Sequence, residues 1–210
     1  MTKLIAPLLL ATLLTAGCTA GATTGATVGT SPAPGATAAP GGGIVGAASD
    51  VFKVGRKWVY TSKSTGSGQT TDGTFTQEVL SVTGDEAEIK TTVKMGATAE
   101  SSNTAKVKIN TSAQDFTKAM ANAPAGTTAT LKSSGKESVT VAAGTYANAT
   151  KYVYTFSSPQ TGDTTAEQWV DDKVGLLKMV STTKPAIPAG VPAGFDLTMT
   201  STMELQSVTP

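Results

Sequence analysis

One thiol and no imidazole bound the chemistry open to this chain. Cys18 is the single cysteine and histidine is absent, which removes Ser–His–Asp triads, Cys–His pairs, disulfides within the chain, Cys/His zinc sites and haem ligation through His. A serine nucleophile would then need a lysine base. Ser133 and Ser134 stand near Lys136, but the segment reads as a loop, without the strand-to-helix turn that exposes a nucleophile. Carboxylates pair at Asp171-Asp172 and at Asp85-Glu86. The first pair could ligate a hard cation such as calcium with carbonyl help; read plainly, Asp171-Asp172-Lys173 between two apolar segments is a solvated turn, and Asp85-Glu86 reads the same way. No spacing singles out an acid and a base for glycoside hydrolysis. These residue types point away from an enzyme and imply neither a metal nor a cofactor.

The aromatic residues are the other side chains with something to offer. Trp58, Tyr60, Tyr152, Tyr154, Phe156 and Trp169 sit in alternating segments. On strands such residues are usually core, since each removes about 150–250 Å² from water. In an open, curved sheet the same inward positions would border a groove for an acyl chain or another apolar molecule. Trp58, Tyr60, Tyr152, Tyr154 and Trp169 are therefore the candidate ligand-lining residues.

The position of Cys18 explains the thiol. Lys3 precedes an apolar run over residues 4–14, broken only by Pro7 and Thr12, and small residues follow up to Cys18. This is the layout of a secretory leader. At about 11 residues the run is far shorter than the roughly 20 needed to span a bilayer as a helix. Leu14-Thr15-Ala16-Gly17-Cys18 resembles the lipobox of bacterial lipoproteins. The resemblance implies cleavage between Gly17 and Cys18 and transfer of a diacylglycerol to the Cys18 thiol, with Thr15 where the family usually has Leu. Fatty acyl chains such as palmitate would then hold the protein to a membrane, each buried methylene contributing about 0.8 kcal/mol. The other reading is an ordinary leader cut nearby, for instance at Ala20. Thr19 lacks the Asp that in many two-membrane bacteria marks inner-membrane retention, so the resemblance favours the outer membrane where there is one.

Residues 19–49 contain no charge and little besides Ala, Gly, Thr, Pro and Ser. Such a stretch cannot bury enough apolar surface to offset its ordering entropy and reads as a disordered tether. Its root-mean-square reach is about 30 Å, and about 100 Å fully stretched. A mucin-like glycosylated stalk is the rival reading. The expected organisation is thus a leader over 1–17, lipidated Cys18 and tether over 18–49, and one globular domain over 50–210. Loss of Lys3 with the leader takes Lys+Arg from 16 to 15 against 15 acids, so the mature chain is formally neutral. Its basic residues are scattered singly, which argues against a nucleic-acid partner.

From Asp50 onward the text alternates with period two. Segments 56–62, 74–80, 86–94 and 106–110 are rich in Thr, Val and aromatics and are divided by Gly-containing clusters. After an interruption come 137–141, 150–156, 166–170, 176–180 and a last strand around 197–205, preceded by a Pro-rich loop over 184–195. The interruption, residues 112–121, carries Ser112 and Asp115 at capping-box spacing with Phe116 and Met120 on one helical face, and predicts a short helix. The fold class is mainly β: an antiparallel, strongly curved sheet, half-barrel or barrel-like, with one short helix.

Three stretches together resemble a group of exported bacterial domains that includes the TapB-like proteins. They are Phe52-Lys53-Val54-Gly55-Arg56-Lys57-Trp58-Val59-Tyr60, then Val139-Thr140-Val141-Ala142-Ala143-Gly144-Thr145-Tyr146, then Trp169-Val170 followed by Val174-Gly175-Leu176-Leu177-Lys178. Asp171-Asp172-Lys173 departs from the Ala-Pro pair common in that group. Such domains are similar in strand layout to the half-barrels of the LolA and LppX lipoprotein carriers, whose concave face holds acyl chains. The resemblance transfers no catalytic residue and implies a curved sheet with an apolar concave face. Two functions follow as expectations: a lipid-anchored module that binds an apolar ligand or lipid in the sheet, or an envelope structural or protein-interaction module with a fully packed β core.

Overall fold

The computed structural model describes residues 49–66, 68–109, 128–158, 162–185 and 198–210. The leader, Cys18, the tether up to residue 48, the helix expected over 112–121 and most of the Pro-rich loop lie outside the described residues. A 3-10 turn (Ser49–Val51) leads into nine strands: β1 (Lys57–Gly66), β2 (Gln69–Thr83), β3 (Glu86–Met95), β4 (Ser101–Lys108), β5 (Thr128–Val141), β6 (Gly144–Ser158), β7 (Gly162–Asp171), β8 (Gly175–Lys184) and β9 (Met199–Thr209). They form one antiparallel sheet in the order β4-β3-β2-β1-β9-β8-β7-β6-β5. Two four-stranded meanders, β1–β4 and β5–β8, are joined by β9, which pairs with β1 on one side and β8 on the other.

Period-two alternation is the local cause of this layout. Along β8 every second residue from Gly175 to Thr183 is buried and the residues between are half-exposed, because successive side chains on a strand point to opposite faces. Trp58, Tyr60 and Ser62 are buried along β1 in the same rhythm. On one face the register lines up Tyr60 with Phe75 and Leu205, and Met203 with Met179. This face carries the main core, in which Trp58, Leu177 and Leu205 are fully buried.

The sheet curls over that face without closing. The turn between β5 and β6 lies three to four strands from β9 in the sheet order, yet Ala143 N–H donates to the Leu205 carbonyl at 3.3 Å. Register shifts occur at Val59/Tyr60, Val79/Ser81, Leu131/Ser133, Glu137/Val139 and Trp169/Val170; such bulges bend strands and increase twist. β4 and β5 remain the two edges, so of the two expected shapes the open half-barrel is the one observed. One expectation is corrected: Ser133, Ser134 and Lys136 are not in a loop but paired within β5 to Val153, Tyr152 and Thr150. Their segment has no apolar alternation to signal a strand, and it is the long β5–β6 hairpin that holds it extended.

Gly73 marks a close approach inside the sheet. A Cβ there would lie 2.9 Å from both the Lys94 carbonyl oxygen and the Ser62 hydroxyl, with the Met95 sulfur also in the way.

Candidate functional site

The two faces of the sheet divide the candidate residues. Trp58 donates its indole N–H to the Val174 carbonyl at 2.7 Å, and the Tyr60 hydroxyl donates to the Leu176 carbonyl at 3.2 Å. Both side chains therefore reach from β1 across β9 to the start of β8, where they satisfy backbone groups at the β7–β8 turn. Phe52 meets Trp58 edge-on at 6.3 Å, and the Arg56 guanidinium lies over the same indole at 5.9 Å. Burial pushes the Tyr60 hydroxyl well above its ordinary pKa.

Tyr152, Tyr154 and Phe156 alternate along β6 on the same face, stacked at 6.1 and 6.0 Å. The register proves the shared face: Tyr152 stands opposite Gln168, Gln168 opposite Met179, and Met179 opposite Met203. Four strand steps separate β6 from β1, about 19 Å along the sheet at the usual spacing. Tyr154 and Phe156 form a second apolar cluster with Ala166. Burial raises the Tyr154 pKa, with a smaller push from Tyr152. Tyr152 is raised by burial and then by the Asp172 carboxylate, against a lowering hydrogen bond with Thr150.

Trp169 is on the other face. Its cross-strand neighbours are Lys151 and Lys178, whose ammonium groups lie 4.6 and 5.9 Å from its ring centroid. Its indole N–H donates to the Glu137 carboxylate. Lys151 also pairs with Glu167 at 3.2 Å, and Lys178 with Glu204 at 2.7 Å. The five aromatic candidates are thus not one lining: Trp58, Tyr60, Tyr152 and Tyr154 share the inner face, Tyr152 packing against both apolar clusters, while Trp169, buried at 7% exposure within the main cluster, projects from β7 on the side opposite Gln168, where charged side chains surround it.

That outer face holds a concavity of about 690 Å³. Thr61, Thr74, Thr202 and Gly73 form its floor, while Lys63, Lys94, Asp72 and Glu204 stand around it. Short side chains on neighbouring strands, ringed by long ones, are what hollow an otherwise pleated surface. A single cross-strand row, Lys94, Thr74, Thr61, Glu204, Lys178 and Trp169, connects the groove to the tryptophan cluster. Glu204 is neutralised by Lys178, whereas Lys63, Lys94 and Asp72 make no ion pair among the described residues. Lys63 and Asp72 face one another in register, so the groove presents two ammonium groups and one carboxylate to solvent. Sequence reasoning missed these residues. They come from β1, β2, β3 and β9, each is an ordinary Thr or Lys on an alternating strand, and no local motif connects them.

The carboxylate pair at the β7–β8 turn is engaged internally. Asp171 accepts hydrogen bonds from the backbone N–H of Lys173 at 2.9 Å and of Val174 at 3.0 Å, an Asx turn, and Asp172 pairs with Lys136 at 3.6 Å. This is the solvated-turn arrangement.

No family model and no curated protein sequence matches this chain. Among solved structures, the chain is similar to a protein assigned as exported, with a YmcC-like fold, from Bacteroides fragilis: TM-score 0.39, 10% identity, covering 75% of this chain and 97% of that one. It is similar also to a protein assigned as a lipoprotein from Parabacteroides distasonis, with TM-score 0.38 and 13% identity, covering 75% of this chain and 96% of that one.

Proposed function

We propose that the protein is an exported, non-enzymatic lipoprotein, anchored through Cys18, whose half-barrel is an envelope interaction module that meets a polar partner with its outer face. The carrying observation is the division of labour between the faces. On the inner face Trp58 and Tyr60 are 0% and 1% exposed and spend their polar atoms on backbone carbonyls of the same fold, which is the work of core residues. On the outer face the groove leaves two lysines and an aspartate without ion-pair partners among the described residues. Charged groups presented around a concavity favour a partner of complementary polarity.

The test is site-specific photo-crosslinking in the exporting host, using full-length protein with the crosslinker at Thr74 in the groove or at Thr92, on the same face outside it. A discrete product from the first site and none from the second, lost in the double variant Lys63→Glu/Lys94→Glu, is the expected result. Equal or absent crosslinking at both sites overturns the reading. A fatty-acid label should enter the wild type and not Cys18→Ser, which checks the anchor separately.

A carrier of an apolar ligand is the rival reading, and the inner face speaks against it: its apolar surface is packed as two clusters, with the buried hydroxyl residues Ser62, Ser181, Ser201, Thr164 and Thr183 on the same face. Lipid recovered at near one-to-one from the purified protein by native mass spectrometry would support an apolar ligand there.

A further inference from the structure

Among the described residues the exposed large hydrophobics are Val54 at 64%, Leu80 at 40% and Val82 at 37%. Their placement is not scattered. Gly55 N–H donates to the Val79 carbonyl at 2.9 Å and Val79 N–H to the Arg56 carbonyl at 3.0 Å, which brings Val54 beside Leu80. Leu80 is the extra residue of the bulge between Val79 and Ser81, so the bulge turns an apolar side chain out of the ladder. Val82 follows two residues on, just before the turn at Gly84.

All three lie at one end of the sheet, and it is the end at which the chain arrives from Cys18. Val51 and Phe52 are buried there, and the Arg56 guanidinium donates to the Asp50 and Val51 carbonyls, both at 3.2 Å. The entry point of the tether is therefore pinned beside the apolar patch. The opposite end of the sheet, with the β1–β2 turn around Gly68, lies about 30 Å away along β1.

We infer that Val54, Leu80 and Val82 form a membrane-docking patch that seats the domain, tether end down, on the lipid surface holding its anchor. This rests on the lipid-anchor reading of Cys18. Residues 19–49 separate Cys18 from the pinned entry point, and a tether with a reach of about 30 Å confines the domain near the bilayer, so an intrinsically weak contact is occupied. The neighbouring charges are balanced, with Lys53, Arg56 and Lys57 against Asp50, Asp85 and Glu86. Apolar insertion rather than attraction to anionic headgroups therefore drives the contact, and docking is insensitive to the fraction of anionic lipid. Docking this way leaves the outer-face groove clear of the bilayer.

The experiment uses the mature lipidated chain in phosphatidylethanolamine/phosphatidylglycerol vesicles that carry nitroxide-labelled lipid. A fluorophore is attached at Val54→Cys or, as the control at the far end, at Gln69→Cys. The expected result is quenching at least about threefold stronger at position 54 than at 69, unchanged when phosphatidylglycerol is doubled, and reduced to the control level by adding Leu80→Asp. Equal quenching at the two positions in protein that co-sediments with vesicles overturns the docking while leaving the anchor intact. Failure to co-sediment overturns the anchor reading and the docking with it. A patch shielded in vesicle-free detergent solution, with a doubled molecular mass, assigns it to a second copy of the chain and overturns the membrane assignment.

Discussion

Trp58 illustrates how one residue serves packing and hydrogen bonding together. Its ring is fully buried against Phe52 and beneath Arg56, and its N–H donates to the carbonyl of Val174. Trp58→Ala is expected to cost about 3–5 kcal/mol through the cavity it leaves. Trp58→Phe keeps most of the ring and should cost less, with a contribution of about 1 kcal/mol from the lost hydrogen bond to the Val174 carbonyl, which lies half-buried in a turn. Urea denaturation of both variants would measure the difference; equal losses would mean that the hydrogen bond contributes nothing. Trp169 is differently built: it is buried within the main apolar cluster, yet Lys151 and Lys178 flank its ring and its N–H donates to Glu137. The adjacent Lys178–Glu204 pair, whose side chains are 27% and 36% exposed, contributes at most about 1 kcal/mol, as pairs in contact with water do.

Among the elements, β9 is the one on which the sheet depends. It is the last strand of the chain, and it joins two meanders that otherwise share no ladder. Its pairing with β1 connects Lys57 to Thr209, a contact across most of the domain's sequence, and closing so long a loop slows folding relative to local hairpins. Gly73, in β2, shows how closely the central strands approach. Gly73→Ala should destabilise the domain by about 1–3 kcal/mol, because the new methyl meets the Lys94 carbonyl and the Ser62 hydroxyl at 2.9 Å, and a well-packed sheet yields only at a cost. The check is the denaturation midpoint; an unchanged midpoint would show that Met95 and Ser62 swing aside freely. The strands themselves were legible where apolar residues alternate, as in β1, β6 and β8. They were read too short where one face carries only Ser, Thr and Lys. β4 begins at Ser101, before its apolar residues start, and β5 runs from Thr128 through the polar stretch 132–137 that separates Leu131 from Val139, because hairpin pairing extends a strand beyond the part that its own pattern announces.

For the molecule as a whole, the four tyrosines connect the two halves of the sheet to its behaviour in alkali. Burial raises the pKa of Tyr60 in β1 and of Tyr146, Tyr152 and Tyr154 in β6, with Asp171 adding to the rise at Tyr146. Each phenol thus binds its proton more tightly folded than unfolded. Their stabilising effect is complete below the unfolded value of about 10 and declines as pH rises above it, since the unfolded chain then releases protons that the folded chain keeps. Stability should therefore fall with pH from about 10 upward. The tyrosinate signal of the buried Tyr60 and Tyr154 should appear in step with loss of near-ultraviolet circular dichroism. Titration of all four tyrosines in the folded protein near pH 10 would refute this. The same whole-molecule view separates the ends of the sheet: the 3-10 turn at Ser49–Val51 and the apolar patch of Val54, Leu80 and Val82 share one end, and the groove around Lys63 and Asp72 lies toward the other.

What the sequence determined by itself is what local chemistry decides. The single thiol after an apolar run, the uncharged stretch over 19–49, and the period-two alternation that makes strands are all written within short windows. Alternation states that neighbours on one strand face opposite ways; it does not state which face two distant strands share. That is a matter of register, and a shift of one residue exchanges the faces of an entire strand. Hence Tyr152 and Trp169, both aromatic on alternating strands, proved to lie on opposite sides once Tyr152 paired with Gln168 and Trp169 with Lys151. The groove was decided at the same level, because Thr61, Asp72, Lys94 and Glu204 become neighbours only when β9 closes against β1 and the register of four strands is set.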